Sequence, residues 1–423
     1  MIWLFLGVLF LFLAFNVPVA AAMLVAGSAV LASLGLFNTQ VLAENMINGA
    51  NNFALMAIPF FILTGEIMNA GGVSRRIVDF ASSMVGHIRG GLGYVTVITG
   101  IIFAGISGSA VADTAALGAI LIPMMAAKGY QKNKATALVA ATGIIGTVIP
   151  PSIPMILFGV ISGVSVTGMF MSGIVPGIIM GLSIMVLWRI LTNRERMATL
   201  PKASGVERLR TLRGAALALF LPLIIIVGLR GGVFTPTEAG VVAAVYAFLI
   251  SLLYRELTPR AMVAVLIQTA KTTGVVLFLA AAAMVSAYAI TVAQIPAQLA
   301  QTLLGVTTNP TLMLLMIMVF LFLVGCVMDM TPAILIFGPV LLPVITSVGI
   351  DPIYFGVIMV INLSVGLITP PVGTVLYVGC GIAKISIVEL SKAIWPYFAL
   401  YFGLLMLLAV FPQIIMVPGA LLR

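Results

Sequence analysis

Long apolar stretches separated by short polar segments follow one another along all 423 residues of the chain. About 20 apolar residues are enough for one helix to cross a bilayer. The pattern predicts an all-α polytopic membrane protein with ten crossings, at residues 2–15, 18–36, 53–70, 135–159, 167–190, 214–229, 236–254, 272–291, 353–379 and 394–416. Two further apolar segments, 92–127 and 310–347, are predicted to be re-entrant hairpins, which enter and leave the membrane on the same face.

An internal repeat is the strongest pattern in the chain. Residues 105–159 align without a gap on residues 325–379, at an offset of 220 positions. Nearly all of the matches are glycine or proline: Gly105, Gly118, Pro123, Gly129, Gly146, Pro150, Pro151 and Gly159 pair with Gly325, Gly338, Pro343, Gly349, Gly366, Pro370, Pro371 and Gly379. Both residue types interrupt helices. Interrupted helices at matching positions of two halves are typical of the binding sites of membrane transporters.

The repeat divides the chain into two halves. The predicted units are residues 1–213, with hairpin 92–127 and broken crossing 135–159, and residues 214–423, with hairpin 310–347 and broken crossing 353–379. Each half has five crossings, and because five is odd, the second half enters the membrane upside down. Two amphipathic segments, Val73–Arg89 and Ile295–Gly305, are predicted to lie along the membrane surface. They suit a fixed scaffold braced against a moving core, which is an elevator-type architecture.

Composition and charge support a membrane protein with one orientation. Apolar residues make up 62% of the chain and charged residues 7%, whereas soluble proteins carry about 25% charge. The net charge of +9 lies in short loops, so the positive-inside rule explains it better than nucleic-acid binding does. The basic segment Thr192–Gly214 is predicted to be cytoplasmic, which places both termini in the periplasm. The predicted outer loop Asn38–Asn52 holds no Lys or Arg.

The interrupted helices are the candidate binding sites. A break frees carbonyl and N–H groups of the backbone inside the membrane, where they are tolerated only if they line protein or a cavity. Carbonyl oxygens with Ser, Thr and Asp side chains favour a small hard cation, and N–H groups at a new helix N-terminus favour a carboxylate. The predicted ion-binding residues are Ser107, Ser109, Asp113, Gly143, Gly146, Val148, Pro150, Gly325, Asp329, Thr331, Gly366 and Thr369. The predicted substrate-binding residues are Thr114, Ser152, Asn362 and Thr374.

Four acidic residues within or near the apolar segments need an explanation. A carboxylate within a membrane costs about 2.5–3.5 kcal/mol, which a bound cation or proton would offset at Asp113 and Asp329. The alternative is that each caps a helix N-terminus, since Asp is a good cap, and both roles are compatible. Glu238 follows Thr235 in a capping pattern. Glu66 is predicted to lie near the inner end of its crossing, where it can pair with a basic residue.

Motifs for other activities are missing from the sequence. The sequence has no cluster of Cys or His residues, so we predict no bound metal other than sodium. No Gly-x-x-x-x-Gly-Lys-Ser/Thr phosphate loop, Gly-x-Ser-x-Gly or His-Glu-x-x-His is present, so we predict no enzyme activity and no cofactor. An ion gradient is the remaining energy source for transport.

Several motifs, in this order along the chain, resemble those of one known family. They are Ala57-Ile-Pro-Phe-Phe-Ile-Leu-Thr-Gly-Glu66, Ser107-Gly-Ser-Ala-Val-Ala-Asp-Thr114, Ile149-Pro-Pro-Ser-Ile-Pro154, Phe234-Thr-Pro-Thr-Glu-Ala-Gly240 and Ile368-Thr-Pro-Pro-Val-Gly373. The chain resembles, over nearly its whole length, the large membrane subunit of tripartite ATP-independent periplasmic (TRAP) transporters, which are DctM-like proteins of the bacterial inner membrane.

The resemblance implies a sodium-coupled elevator transporter of organic acids. Its partners would be a small four-helix membrane subunit and a periplasmic substrate-binding protein. The segments Asn69–Gly91 and Ala270–Ile295 look closest to the branch for sugar acids and keto acids, while a C4-dicarboxylate stays open. A stand-alone dicarboxylate/sodium symporter is the alternative. An ion channel or a membrane enzyme is disfavoured, because a channel does not need two opposed gates.

Overall fold

The structure is a computed structural model that describes residues 1–193, 199–370 and 372–422. Arg194 and Arg196 of the basic segment, Pro371 of the second break and the terminal Arg423 lie outside the described residues. Within the described ranges, the regular secondary structure is helical.

The helices of the first half are α1 (Ile2–Ala14), α2 (Val19–Ser33), α3 (Thr39–Ala50), α4 (Ala57–Ala70), α5 (Val73–Val85), α6 (Gly91–Ser107), α7 (Ala110–Ala127), α8 (Lys132–Gly143), α9 (Ile153–Ser162) and α10 (Val166–Thr192). Short 3₁₀ helices occupy Phe53–Met56 and Ile144–Thr147. The helices of the second half are α11 (Gly205–Arg230), α12 (Pro236–Tyr254), α13 (Pro259–Val292), α14 (Ile295–Leu304), α15 (Pro310–Gly325), α16 (Met330–Ser347), α17 (Pro352–Gly366), α18 (Thr374–Ala383), α19 (Ile387–Val410) and α20 (Gln413–Leu422).

Helix lengths agree with a protein that crosses a membrane several times. Within the described ranges, eight helical segments are long and apolar enough to span a bilayer: Phe53–Ala70, α7, α10, α11, α12, α13, α16 and α19. The crossings predicted at residues 2–15 and 18–36 are the shorter apolar helices α1 and α2. The predicted broken crossings are broken in the structure, into α8 and α9 and into α17 and α18.

Three of the predicted boundaries were wrong. The loop predicted at Asn38–Asn52 is mostly helix α3, which starts because the Asn38 side chain accepts hydrogen bonds from the backbone N–H groups of Gln40 and Val41. The crossing predicted at 394–416 is two helices, α19 and α20, and α11 begins at Gly205 inside the predicted cytoplasmic segment. Tertiary packing decides the first case: a Cβ at Gly49 would lie 2.9 Å from the Cα of Ala281, so α3 rests directly on α13.

The helices form two groups. In the scaffold group, which we define as α1–α5 and α11–α14, α12 packs on α4, and α13 packs on α2, α3 and α4. In the core group, which is α6–α10 and α15–α20, α7 packs on α8, α15 on α17, and α18 on α7. The arm helices α5 and α14 join the two groups, because α5 contacts α6 and α14 contacts α16.

The 220-residue offset extends beyond the aligned motifs. Helix α7 begins at Ala110 and ends at Ala127, and α16 begins and ends 220 positions later, at Met330 and Ser347. Helix α13 begins at Pro259, which is 220 positions after the first residue of α3. The single long helix α13 therefore corresponds to α3, the 3₁₀ turn and α4 together. That the two halves have opposite orientations in a membrane stays a prediction.

Candidate functional site

The tip of the first hairpin lies against the first broken crossing. Helices α6 and α7 are joined by Gly108 and Ser109, and Gly108 has φ +67°, a conformation that favours glycine. A Cβ at Gly108 would collide with the carbonyl oxygen of Pro151. The backbone N–H of Ile153 donates to the Gly108 carbonyl at 3.4 Å. The hairpin tip and the start of α9 therefore form one continuous surface.

Asp113 is the buried carboxylate of this surface. Its residue is 1% exposed, and the Ser107 hydroxyl donates to its Oδ1 atom. The Oδ2 atom is also buried and has no hydrogen-bond partner among the described residues. A Cβ at Gly146 would collide with this Oδ2 atom, so the carboxylate faces the 3₁₀ segment of the break. A buried carboxylate oxygen without a partner is costly unless a cation or a proton compensates it.

Asp113 is not the cap of α7. The cap is Ser109, whose hydroxyl accepts a hydrogen bond of 3.4 Å from the backbone N–H of Ala112. The alternative interpretation, in which Asp113 caps the N-terminus of α7, does not apply, because the helix is capped four residues earlier. This observation favours a bound cation at Asp113, because helix capping does not explain the buried carboxylate.

Two further hydroxyl oxygens near this hairpin are buried and unsatisfied within the described residues. They belong to Thr114, which follows Asp113 on α7, and to Thr142 of α8, whose side chain faces Gly100 of α6. A Cβ at Gly143 would collide with the Thr114 hydroxyl, so α7 and α8 approach closely there. Gly143 and Gly146, both predicted ion-binding residues, thus lie next to unsatisfied oxygens of α7. Thr142 was missed by the sequence analysis, although it directly precedes the predicted Gly143.

Of the other residues predicted in this half, Val148 and Pro150 belong to the break, and Ser152 caps α9. A Cβ at Gly173 of α10 would collide with the Val148 carbonyl oxygen, so that oxygen faces α10. Ser152 is fully buried, donates to the Thr147 carbonyl and accepts from the Met155 N–H at 3.3 Å. Its hydroxyl is therefore engaged within the break.

The second hairpin and the second break meet differently. A Cβ at Gly366 would lie 2.7 Å from the carbonyl carbon of Gly325, so the two backbones touch without a side chain between them. Asp329 is exposed, and the Thr374 hydroxyl donates to its Oδ1 atom at 3.3 Å. It occupies the residue before α16, without a side-chain capping bond. Asp113 and Asp329 therefore have different surroundings.

The remaining predicted residues of the second half make local contacts. Thr369 donates to the Val365 carbonyl at 2.7 Å, and Thr331 is half-buried in the first turn of α16. The Asn362 amide is buried and donates to the Met318 carbonyl at 2.8 Å, while its Oδ1 atom is unsatisfied within the described residues. Asn362 thus fastens α17 to α15 and leaves one buried oxygen free.

A hydroxyl pair that the sequence analysis missed joins the two breaks. The Oγ1 atom of Thr147 and the Oγ atom of Ser364 lie 2.6 Å apart and share a hydrogen bond. One hydroxyl donates to the other, and the accepting hydroxyl donates to a backbone carbonyl of its own segment, which is Ile144 O for Thr147 or Val360 O for Ser364. Both residues were visible in the sequence as polar positions near the interrupted helices. Their pairing, 217 residues apart in sequence, was not.

A cavity of about 410 Å³ separates the scaffold group from the first hairpin. Its polar lining consists of Glu66 and Asn69 of α4, Ser107 and Ser109 of the hairpin tip, and Gln268 and Thr272 of α13. Ser107 and Ser109 were predicted, whereas Asn69, Gln268 and Thr272 were not. The four predicted substrate residues Thr114, Ser152, Asn362 and Thr374 are absent from the described lining. The volume suits a small organic molecule.

The cavity has the electrostatics of an anion site at one end. The first turn of α7 contributes Val111 and Ala112 to the lining, and α9 contributes its first residue, Ile153. The first turns of α7 and α9 therefore border the same space, and each helix N-terminus carries a partial positive charge. Among the described lining residues, Glu66 is the one with a formal charge.

Comparison with known proteins identifies the family. Residues 6–414 match the family described as the DctM component of the tripartite ATP-independent periplasmic transporter. The 2,3-diketo-L-gulonate TRAP transporter large permease protein YiaN of Escherichia coli is 48% identical over 415 residues, covering 98% of each chain. The sialic acid TRAP transporter large permease protein SiaM of Vibrio cholerae is 40% identical over 372 residues, covering 88% of this chain and 87% of SiaM.

One solved structure shares the fold. The Alcanivorax borkumensis YdaH transporter superposes with a TM-score of 0.63, at 19% identity, over 88% of this chain and 87% of that one.

The chain is thus a multi-pass inner-membrane transport protein rather than an enzyme. It belongs to the DctM family, the large permease subunits of TRAP transporters. The family resemblance predicted from the motifs is confirmed, and so is the all-helical fold.

Proposed function

We propose that this chain imports a small organic anion together with sodium ions, as the large subunit of a TRAP transporter that depends on a binding protein. The observation that carries the proposal is the cavity of about 410 Å³, which lies between two helix N-termini and the Ser107–Asp113 pair. An anion site and a cation site are adjacent there, so each ligand favours binding of the other.

The substrate we favour is a sugar acid or a keto acid. The relatives YiaN and SiaM are named for 2,3-diketo-L-gulonate and sialic acid, and both names describe acids derived from sugars. The cavity lining offers amide and hydroxyl groups at Asn69, Gln268 and Thr272, which can bind hydroxyl and keto oxygens. The carboxylate would lie at the N-termini of α7 and α9. A C4-dicarboxylate fits the same space and is the second candidate.

Sodium would bind behind the hairpin tip. The unsatisfied Oδ2 atom of Asp113 and the hydroxyl of Thr114 supply oxygen atoms, which a hard cation prefers. A cation there would offset the buried carboxylate and part of the charge of the substrate. Since Asp329 is exposed and bonded to Thr374, we expect the second site to bind sodium less tightly than the first.

The partners follow from the tripartite organisation of the family. A small four-helix subunit would cover apolar surface of the scaffold group, and a periplasmic protein would deliver the substrate. The loop charges predict an orientation with both termini in the periplasm. In that orientation the cavity of about 410 Å³ lies toward the cytoplasm. The core group would then move against the scaffold group as in an elevator.

Reconstitution in liposomes tests this function. We expect uptake of a sugar acid only when this chain, the small subunit, the substrate-loaded binding protein and an inward sodium gradient are all present. The substrate itself can be identified first, by a thermal-shift screen of organic acids against the binding protein. Uptake of free substrate by this chain alone would support the stand-alone symporter, and uptake without sodium would refute the coupling.

A further inference from the structure

A second, smaller cavity lies at the opposite end of the interface between the scaffold group and the core group. Its volume is about 80 Å³, and its walls are α3, α9, α13 and Leu335 of α16. Most of its lining is apolar, including Leu157 and Met284. The polar side chains of its described lining are Asn48 and Asn52.

These two asparagines are the counterparts of polar residues in the larger cavity. Adding the offset of 220 to 48 and 52 gives 268 and 272, which are Gln268 and Thr272. Both of the latter line the cavity of about 410 Å³. The first member of each pair is exposed and the second is half-buried. The same correspondence relates Leu335 to Ala115, since 115 plus 220 is 335, and Ala115 also lines the larger cavity.

Each pair consists of two uncharged polar residues that are four positions apart. Gln268 and Thr272 lie one turn apart on one face of α13, whereas Asn48 lies in α3 and Asn52 lies two residues after its end. The Gln268 amide is 3.5 Å from the Thr272 hydroxyl, so the second pair points its polar groups to one spot. The Asn52 side chain accepts from the Ala54 N–H at 3.0 Å, which orients its amide. Amide N–H groups are donors for carboxylate and hydroxyl oxygens.

The two hairpins contact the scaffold group differently, which explains the unequal volumes. In the first hairpin, α6 packs against α4 and α5, and its partner α7 lines the open cavity. In the second hairpin, the later helix α16 packs against α13 and α14, which closes the second cavity to about 80 Å³. The repeat relates α7 to α16, so the closed second cavity is the counterpart of the open first one.

We propose that Asn48 and Asn52 bind the transported organic anion at the second opening of its pathway, as Gln268 and Thr272 do at the first. The second cavity enlarges when α16 leaves α13, and the amides of Asn48 and Asn52 then replace part of the hydration of the substrate. The inference rests on the proposed function. It adds two specific scaffold residues, on the side where the loop charges place the binding protein.

The test is a comparison of substitutions on the two sides of the reconstituted three-part transporter. Asn48→Leu should raise the half-saturating substrate concentration for uptake from the binding-protein side about three- to tenfold, the usual effect of losing one hydrogen bond. The same variant should leave the half-saturating substrate concentration on the opposite side of the membrane unchanged. That concentration is measured by exchange of substrate across the membrane. Gln268→Leu should show the reverse. Asn52→Ser keeps an oxygen for the turn but loses the amide, and should behave as Asn48→Leu does.

Three controls separate the inference from its alternatives. Asn45→Leu changes the same residue type on the same helix, where the Asn45 amide bonds to the Val41 carbonyl at 2.8 Å, and should leave both sides unchanged. Asn48→Gln retains the amide and should recover most of the affinity. Binding of the loaded binding protein to the Asn48→Leu variant should match the wild type.

Unchanged uptake kinetics for Asn48→Leu would overturn the inference, as would an effect explained wholly by weaker binding of the binding protein. In both cases wild-type uptake of an organic acid would still stand, and so would the proposed function. If the wild-type assembly transports no organic acid, the proposed function itself fails.

Discussion

The two hairpin-and-break sites share their glycine and proline positions but differ in what surrounds their aspartates. Asp113 is 1% exposed, bonded by Ser107, and left with one unsatisfied oxygen within the described chain. Asp329 is exposed and accepts from Thr374. The repeat does not align the two aspartates, since the residue 220 positions after Asp113 is Ala333 and Asp329 corresponds to Ser109. Equal backbone breaks can therefore hold unequal sites, and the side chains at the hairpin tip decide which one buries its charge.

The largest effect should come from the buried aspartate. Asp113→Ala removes a charged oxygen ligand, a contact worth about 1.5–3 kcal/mol, and should raise the sodium concentration for half-maximal uptake about 10- to 100-fold. Asp329→Ala should raise it about threefold or less, because an exposed charge contributes about 0–1 kcal/mol. The measurement is uptake against sodium concentration at saturating substrate.

Asparagine variants refine this comparison. Asp113→Asn and Asp329→Asn keep a side-chain oxygen and should be milder than the alanine variants. Equal shifts for the two alanine variants would show that the sites are equivalent, and no shift in either would show that the carboxylates have a structural role.

The next effect concerns the glycines that approach the hairpins. Gly146→Ala places a methyl group on the Asp113 carboxylate, and Gly366→Ala places one on the Gly325 backbone. Overpacking of this kind costs about 1–3 kcal/mol, which thermal unfolding in detergent would detect. The double variant Gly146→Ala/Asp113→Ala should regain stability, because the group that the new methyl meets is the Asp113 side chain.

The backbone obstacle at Gly366 cannot be removed by substitution, so that loss should persist when Asp329→Ala is added. Gly274→Ala is the matched control, because a Cβ there meets no atom within 4 Å. Recovery of both glycine variants, or of neither, would contradict the difference between the two sites.

A smaller effect is expected for the hydroxyl pair that connects the breaks. Thr147→Val and Ser364→Ala should each lower the free energy of unfolding by about 0.5–1.5 kcal/mol. The double variant should lose less than the two single losses together, because both remove the same 2.6 Å hydrogen bond. Thermal unfolding of the four proteins gives the coupling energy, and strictly additive losses would mean that the breaks are independent.

The smallest perturbation tests the predicted orientation of the halves. Gln40→Cys and Lys202→Cys are predicted to lie on opposite sides of the membrane and to leave transport unchanged. An impermeant maleimide added to intact cells should label the cysteine at 40 and not the one at 202, relative to the parent chain with Cys326 and Cys380. The opposite labelling pattern would invert the assignment of inside and outside for both cavities.

The sequence alone determined the helical class, the family and the places where helices break. Glycine and proline restrict the backbone locally, so their positions predict interruptions such as those at Gly146 and Pro150 without knowledge of the partners. Apolar length predicts spanning helices for an equally local reason. The residues Ser107, Ser109 and Asp113 were found because polar side chains in an apolar hairpin are costly unless they serve a purpose.

The tertiary structure alone decided how the two similar halves differ. The burial of Asp113 and the exposure of Asp329 depend on what packs against each hairpin, and the local sequence does not specify those neighbours. Helix α3 was read as a loop because its composition is polar, and it forms where Gly49 lets it rest on α13. Thr147 and Ser364 form a hydrogen bond, and Gln268 lines the same cavity as the hairpin tip, only because segments distant in sequence pack together. Such contacts depend on packing over the whole chain, which local sequence patterns do not specify.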